Sequence, residues 1–161
     1  MENLQAQLRE ERRLSRVQAK RLYPLVYSDP ERQFRFEVEL AWLMSIPERE
    51  RESDFKLREY KIGHRFLETV ERLSRDGGVG REQLVRTVAE VVSGWARTKA
   101  SRAVKEWRTS KQGSQQVRAD GAAAWRVRVQ SNTPSARRLK YWRLPDGTIE
   151  LDSVGTHDEG L

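Results

Sequence analysis

Thirteen basic side chains within residues 97–143 are the chemical feature that stands out most clearly in this sequence of 161 residues. Only Glu106 and Asp120 oppose them, so this stretch carries a net charge of +11, whereas residues 144–161 hold five acids and no lysine or arginine. Such a concentration of positive charge is typical of proteins that bind a polyanion. The planar fork of donors on arginine suits phosphate oxygens and base edges. We therefore expect a nucleic acid as the partner.

Part of this charge falls at helical spacing. The apolar residues of the stretch recur in the pattern i, i+4, i+7, i+8 and i+11 as Ala96, Ala100, Ala103, Val104 and Trp107. This period predicts an α-helix over residues 96–109 with a narrow inner face of small side chains. Its outer face would be basic and hydroxylic, which suits the major groove of double-stranded DNA. The candidates for base contacts on that face are Thr98, Ser101, Arg102 and Lys105.

A basic hairpin is expected after this helix. In residues 125–129 the apolar side chains alternate with Arg126 and Arg128, which is the period of a half-buried strand. Residues 139–144 form a second run, Pro145-Asp146-Gly147 supplies a turn, and residues 148–151 close a small antiparallel meander. The candidates for phosphate contacts are Arg97, Arg108, Lys111, Arg126, Arg128, Arg137, Arg138 and Lys140. Lys105 and Arg128 must then lie on the same side of the molecule.

The elements that position these residues are predicted to be helices. Helices are expected over residues 2–22, 29–46, 55–75 and 81–92. For residues 29–46 a strand is the alternative, because apolar and polar side chains alternate over residues 34–42. Gly94 separates the helix over 81–92 from the basic helix, and a single kinked helix over 81–109 is the alternative. The predicted fold class is thus mainly α with a small C-terminal antiparallel hairpin or meander.

The order of helix, helix, basic helix and basic hairpin over residues 66–152 resembles a winged-helix DNA-binding domain. Ser101-Arg102-Ala103-Val104-Lys105 resembles part of a recognition helix. The resemblance implies that the third helix enters the major groove and that the hairpin touches the backbone. It implies a sequence-specific regulator of transcription or a DNA-binding factor of a phage, plasmid or other mobile element.

The chain is expected to contain three regions. Residues 1–54 are a helical region for dimerisation or partner contact, residues 55–152 are the winged-helix-like nucleic-acid-binding domain, and residues 153–161 are an acidic flexible tail. A homodimer is expected because dimers match palindromic DNA sites. No apolar run approaches the length of a membrane span, so we expect a cytoplasmic protein, associated with the nucleoid if it is bacterial.

Two other functions are consistent with the composition. Trp125, Tyr141 and Trp142 could stack on bases of RNA or a single strand, or the basic patch of a helical adaptor could bind an acidic protein. An enzyme is not expected. The chain has no cysteine, only two histidines and no phosphate-binding glycine loop, so neither a cofactor nor a metal is expected.

Overall fold

The computed structural model describes residues 2–19, 23–76, 80–98, 103–110, 112–130 and 136–156. The helices in these ranges are α1 (Glu2–Ala19), α2 (Pro30–Ser45), α3 (Glu48–Glu52), α4 (Phe66–Asp76), α5 (Arg81–Ser93) and α6 (Trp95–Thr98). The strands are β1 (Tyr60–Ile62), β2 (Val104–Glu106), β3 (Ala123–Arg128), β4 (Arg138–Arg143) and β5 (Ile149–Gly155).

The strands form one five-stranded mixed sheet in the order β1-β5-β4-β3-β2. The edge strand β1 pairs with β5 in parallel, whereas the other three pairings are antiparallel. The register between β4 and β5 shifts by one residue, since Lys140 pairs with Ser153 and Tyr141 pairs with Leu151. Asp152 is the extra residue of this bulge. A bulge re-aims a side chain, and here the Asp152 carboxylate accepts a hydrogen bond from the Trp142 indole.

The core lies between one face of this sheet and the helices α2, α4 and α5. Phe34 of α2, Phe66 of α4 and Leu84 of α5 are fully buried, as are Leu139 and Leu151 of the sheet. Helix α5 is the central helix, because residues 84, 85 and 87–93 are all buried. A helix that is apolar around most of its circumference needs such a central position.

The predicted fold class is wrong. The protein is not a mainly α fold with a small hairpin, and the winged-helix arrangement does not hold, since the sheet has five strands and supplies one wall of the core. The basic helix over 96–109 is wrong as well. Helix α5 ends at Gly94 in the left-handed conformation (φ 86°), α6 spans only four residues, and Val104–Glu106 forms strand β2. Pairing of residues 104–106 with β3 selects the strand conformation, although the helical period of the apolar side chains continues through this segment.

The predicted helix over 55–75 is correct only in its second half. Tyr60–Ile62 forms β1, and α4 begins at Phe66. Between them the Gly63 amide donates to the Leu151 carbonyl at 2.8 Å. A Cβ at Gly63 would lie 2.6 Å from that oxygen, so this close approach requires glycine.

Other predicted elements are confirmed. Helix α2 is a helix and not a strand, with the Asp29 carboxylate accepting from the Arg32 amide and Pro30 in the first turn. Helices α1 and α5 and the strands β3, β4 and β5 also fall where the sequence predicts them.

The predicted boundary at residue 54 does not separate two cores, because α2 belongs to the same core as the sheet. Strand β5 runs to Gly155, so it includes the first residues of the predicted tail.

Candidate nucleic-acid interface

Four cations lie together on the face of the sheet that points away from α2, α4 and α5, and a fifth lies beside them just after β2. Strand register places Lys105 of β2 opposite Arg126 of β3, and Arg128 of β3 opposite Arg138 of β4. Arg108 lies just beyond the end of β2, close enough for its charge to act on Arg126. We call these residues the sheet cation cluster: Lys105, Arg108, Arg126, Arg128 and Arg138.

The alternation of side chains explains why the cluster faces outward. Val127 and Leu139 are buried in the core, and they pair with one another in the sheet. Because successive side chains of a strand point to opposite faces, their neighbours Arg126, Arg128 and Arg138 point to the other side. The condition that Lys105 and Arg128 share one side is therefore met: Lys105 is level with Arg126, and Arg128 is two residues further along the same strand.

The positive charges of the cluster repel one another. Burial and the positive charges of Arg138, Arg128 and Arg108 together lower the pKa of Arg126. The Arg126 Nε is buried and has no hydrogen-bond partner among the described residues. Like charges directly opposite each other in a sheet destabilise the pairing. An anion placed over the cluster would relieve this repulsion.

One acidic side chain forms a weak ion pair with Arg108 of the cluster. Glu106 lies 3.8 Å from Arg108, and both side chains are about half exposed. An exposed ion pair at this distance contributes little to stability and leaves the arginine available to another anion.

Lys140 is on the same face as the cluster, but it is buried. Its ammonium lies 5.2 Å from the ring centre of Trp107 and 4.9 Å from that of Trp142, and it donates to the Gln116 side chain at 3.1 Å. Only 4% of its surface is exposed. Burial lowers the pKa of Lys140, and the nearby Asp152 offsets this in part. We therefore do not place Lys140 in the interface, although the sequence predicts a phosphate contact there.

A second polar network borders the cluster on the β5 side. Asp152 accepts from Arg65 at 2.7 Å and from the Trp142 indole at 3.0 Å. On the same side, Arg118 lies over the Trp142 ring at 5.1 Å and pairs with Glu150. These cations are paired, so they fix the surface rather than extend the cluster.

The remaining predicted contacts do not join the cluster. Arg97 stacks on the Trp125 ring at 4.4 Å on the helix side of the sheet, and Thr98 ends α6 with its hydroxyl donating to the Gly94 carbonyl. Arg137 is half-buried just before β4, and its amide donates to the Gln130 side chain. Ser101, Arg102 and Lys111 lie outside the described residues. The structure thus places Lys105 on a strand and does not bring it together with Thr98.

The aromatic side chains considered for base stacking are occupied. Tyr141 is buried in the core, Trp125 carries Arg97 on its ring, and Trp142 is half-buried between Lys140 and Arg118. Trp107, which the sequence analysis placed on the inner face of a helix, instead covers Lys140 on the outer face of the sheet. No local pattern indicates this position, since residues 104–107 read apolar, polar, polar and apolar.

Two carboxylates at α2 have structural roles. Asp29 caps α2, and Glu37 forms a two-point ion pair with Arg81 at 2.7 and 3.0 Å. Across the described ranges, no three His, Cys, Asp or Glu side chains converge in a way that could hold a metal ion. No helix within those ranges has the length and apolar character needed to cross a bilayer.

Comparison with known proteins gives no further assignment: no protein-family model, curated protein or solved structure matches this chain significantly.

Proposed function

We propose that this protein binds double-stranded nucleic acid, DNA in particular, with the phosphate backbone lying across the sheet cation cluster. The observation that carries the proposal is the direct pairing of Lys105 with Arg126 and of Arg128 with Arg138 on the sheet face opposite α2, α4 and α5. Neighbouring strands are about 4.8 Å apart, so the paired cations form a compact patch.

A duplex suits this surface better than a single strand does. Single-strand and RNA binders add aromatic side chains on which bases stack. The aromatic residues beside the cluster are covered by their own cations, as Trp142 is by Lys140 and Arg118. The cluster offers charge and guanidinium donors, which is the chemistry of phosphate contact.

Phosphate contacts rather than base contacts should dominate the affinity. The basic helix that would have read the major groove is replaced by α6 and β2, and Lys105 is the one predicted base contact placed on the cluster face among the described residues. Backbone contacts are independent of sequence, so we expect binding to depend strongly on salt and weakly on base composition.

The experiment is a fluorescence-anisotropy titration of a labelled 20-bp duplex by the full chain at several salt concentrations. If all five cations of the cluster contact phosphates, affinity should fall about 500-fold between 50 and 200 mM salt. The variant K105Q/R128Q should bind more weakly and reduce the salt slope by about 1.8, since each lost contact removes about 0.9.

The matched control is R72Q/R75Q, which removes the same net charge from exposed positions of α4. It should behave like the unaltered protein apart from a small effect of total charge. Equal effects of both variants on affinity and slope would refute the cluster as the site. Preferential competition by single-stranded DNA or structured RNA would refute the duplex, and preferential competition by an acidic polypeptide would refute nucleic acid as the ligand class.

Homodimerisation through residues 1–54 stays a prediction. Leu4 and Leu8 of α1 are 62% and 46% exposed, and an isolated helix of this length is marginal in water. Light scattering of the purified chain would determine the oligomeric state.

A further inference from the structure

A cleft of about 650 Å³ opens on the helix side of the sheet, between the end of α5, α6, the segment before β1 and the β4–β5 turn. Its floor is apolar and buried, with Phe55, Val92 and Ala96 contributing. Tyr141 and Arg143 of β4 reach it from the sheet. This size and this mixture of an apolar floor with a few polar groups are typical of small-molecule sites.

The walls of the cleft are held in place by contacts that do not depend on a ligand. The Phe55 ring packs edge-to-face on Trp95 with 5.0 Å between ring centres, and the Trp42 indole donates to the Phe55 carbonyl at 2.8 Å. Gly94 and Gly147 lie at the rim with φ near 90°, and a Cβ at either would meet no atom within 4 Å. The cleft is therefore preformed and open at these points.

Two guanidinium groups and a phenol converge at one end of it. The Tyr141 side chain is buried, and the positive charges of Arg97 and Arg143 both act on it. Burial raises the pKa of Tyr141 to about 12, although Arg97 and Arg143 partly counter it. The phenol therefore stays protonated at neutral pH and can donate a hydrogen bond.

This end of the cleft is positively charged within the described residues. Among the described side chains, no carboxylate lies within 4.0 Å of the Arg97 or Arg143 guanidinium. The acids that line the cleft, Asp54, Glu59 and Asp146, are exposed. Asp146 is already engaged in its own turn, where it accepts from the Thr148 amide at 2.9 Å.

We propose that this cleft is a binding site for a small organic anion. A carboxylate or phosphate group would be held by Arg97, Arg143 and the Tyr141 hydroxyl, because guanidinium groups make strong charge-assisted bonds to such groups. A planar or branched apolar body would lie on Phe55, Val92 and Ala96. The site is separate from the sheet cation cluster, since Tyr141 and Arg143 alternate with the outward-facing Arg138 and Lys140 along β4.

The test is an NMR titration of the full chain that follows the backbone amides of Ser93, Gly94 and Gly147 with four probes: benzoate, phenyl phosphate, acetate and benzyl alcohol. Acetate has the negative charge without the aromatic ring, and benzyl alcohol has the aromatic ring without the charge. We expect saturable shifts at these amides for benzoate, phenyl phosphate or both, with affinity at least about tenfold above that of acetate and benzyl alcohol. The tighter of the two aromatic anions would show whether the site takes a carboxylate or a phosphate.

Variants R143Q and R97Q should each lower the affinity for the aromatic anion to about that of benzyl alcohol. Arg143 is exposed, so R143Q is expected to fold normally even if R97Q disturbs the stack on Trp125. The control R72Q should leave the affinity unchanged. The proposal is overturned by an absence of saturable shifts with both aromatic anions, by equal binding of benzoate and benzyl alcohol, or by unchanged affinity in R143Q.

Discussion

Lys105 and Arg126 lie directly opposite each other on adjacent antiparallel strands, on the side of the sheet that no described helix covers. Two like charges in this position are a cost to the folded state. Arg128 and Arg138 repeat the arrangement one pair further along β3 and β4. A polyanion that occupies this face would relieve the electrostatic repulsion at both pairs.

The first prediction concerns the repulsion between Lys105 and Arg126. Replacing Lys105 with Glu should stabilise the free protein by about 0.5 kcal/mol, because it turns a repulsive cross-strand pair into an attractive one. The same change should weaken duplex binding, because it puts a negative charge in the interface. Urea unfolding and duplex titration of K105E would measure both effects. A variant that is less stable and binds the duplex as before would contradict the role given to this pair.

The sequence identified the residues of the cluster but not the surface that carries them. Arg126 and Arg128 lie on the outer face of a strand, as the alternation of residues 125–129 predicts, and no helical period competes there. Arg138 lies one residue before the predicted second run and begins β4. Lys105 and Arg108 were assigned to a helix because the alanines at 96, 100 and 103 continue a 3.6-residue period into Val104. Residues 104–106 form a strand because they pair with a strand distant in sequence, as Val104 does with Val127. No local pattern contains this information.

The cleft could not be predicted at all. Arg97, Tyr141 and Phe55 come from three separate segments of the chain, and none of them stands in a recognisable motif. Strand β1 was missed for a similar reason. Its three residues form a strand only because β5 offers them a parallel partner.

The second prediction separates Lys140 from the cluster. Because Lys140 is buried between two tryptophan rings, replacing it with Met should change the unfolding free energy by less than about 1 kcal/mol, as a buried charge is often neutral against an apolar residue of similar shape. Duplex affinity should remain within about twofold of the original. An affinity loss as large as that of K105Q/R128Q would return Lys140 to the interface.

The third prediction concerns the ion pair that joins α2 to α5. Glu37 is buried and makes two contacts to Arg81, so E37Q should lower the unfolding free energy by about 2 kcal/mol. The matched control is E68Q, which breaks an exposed pair with Arg72 at 3.8 Å and should have no measurable effect. Equal stability of the two variants in chemical denaturation would contradict the structural role of Glu37.

The fourth prediction is a pH dependence. Burial alone would raise the pKa of Asp152, but hydrogen bonds from Arg65, Trp142 and Ser153 outweigh it and hold this pKa below its usual value. The ionised carboxylate therefore stabilises the fold fully above the unfolded-state pKa of about 4. That stabilisation is lost as the pH falls through the lower folded-state pKa.

The measurement is the difference in unfolding free energy between the unaltered protein and D152N. It should be constant from neutral pH to about pH 5 and shrink below about pH 4. A difference that does not change down to the acid-unfolding range would show that Asp152 is not held ionised by these partners.

Mapping the contact surface by NMR tests the central claim most directly. When a 20-bp duplex is added to the full chain, the amide signals of Lys105, Arg126, Arg128 and Arg138 should shift together, and those of Arg72 and Arg75 on α4 should not. Shifts confined to α4, or to residues of the cleft such as Gly94 and Gly147, would contradict the account.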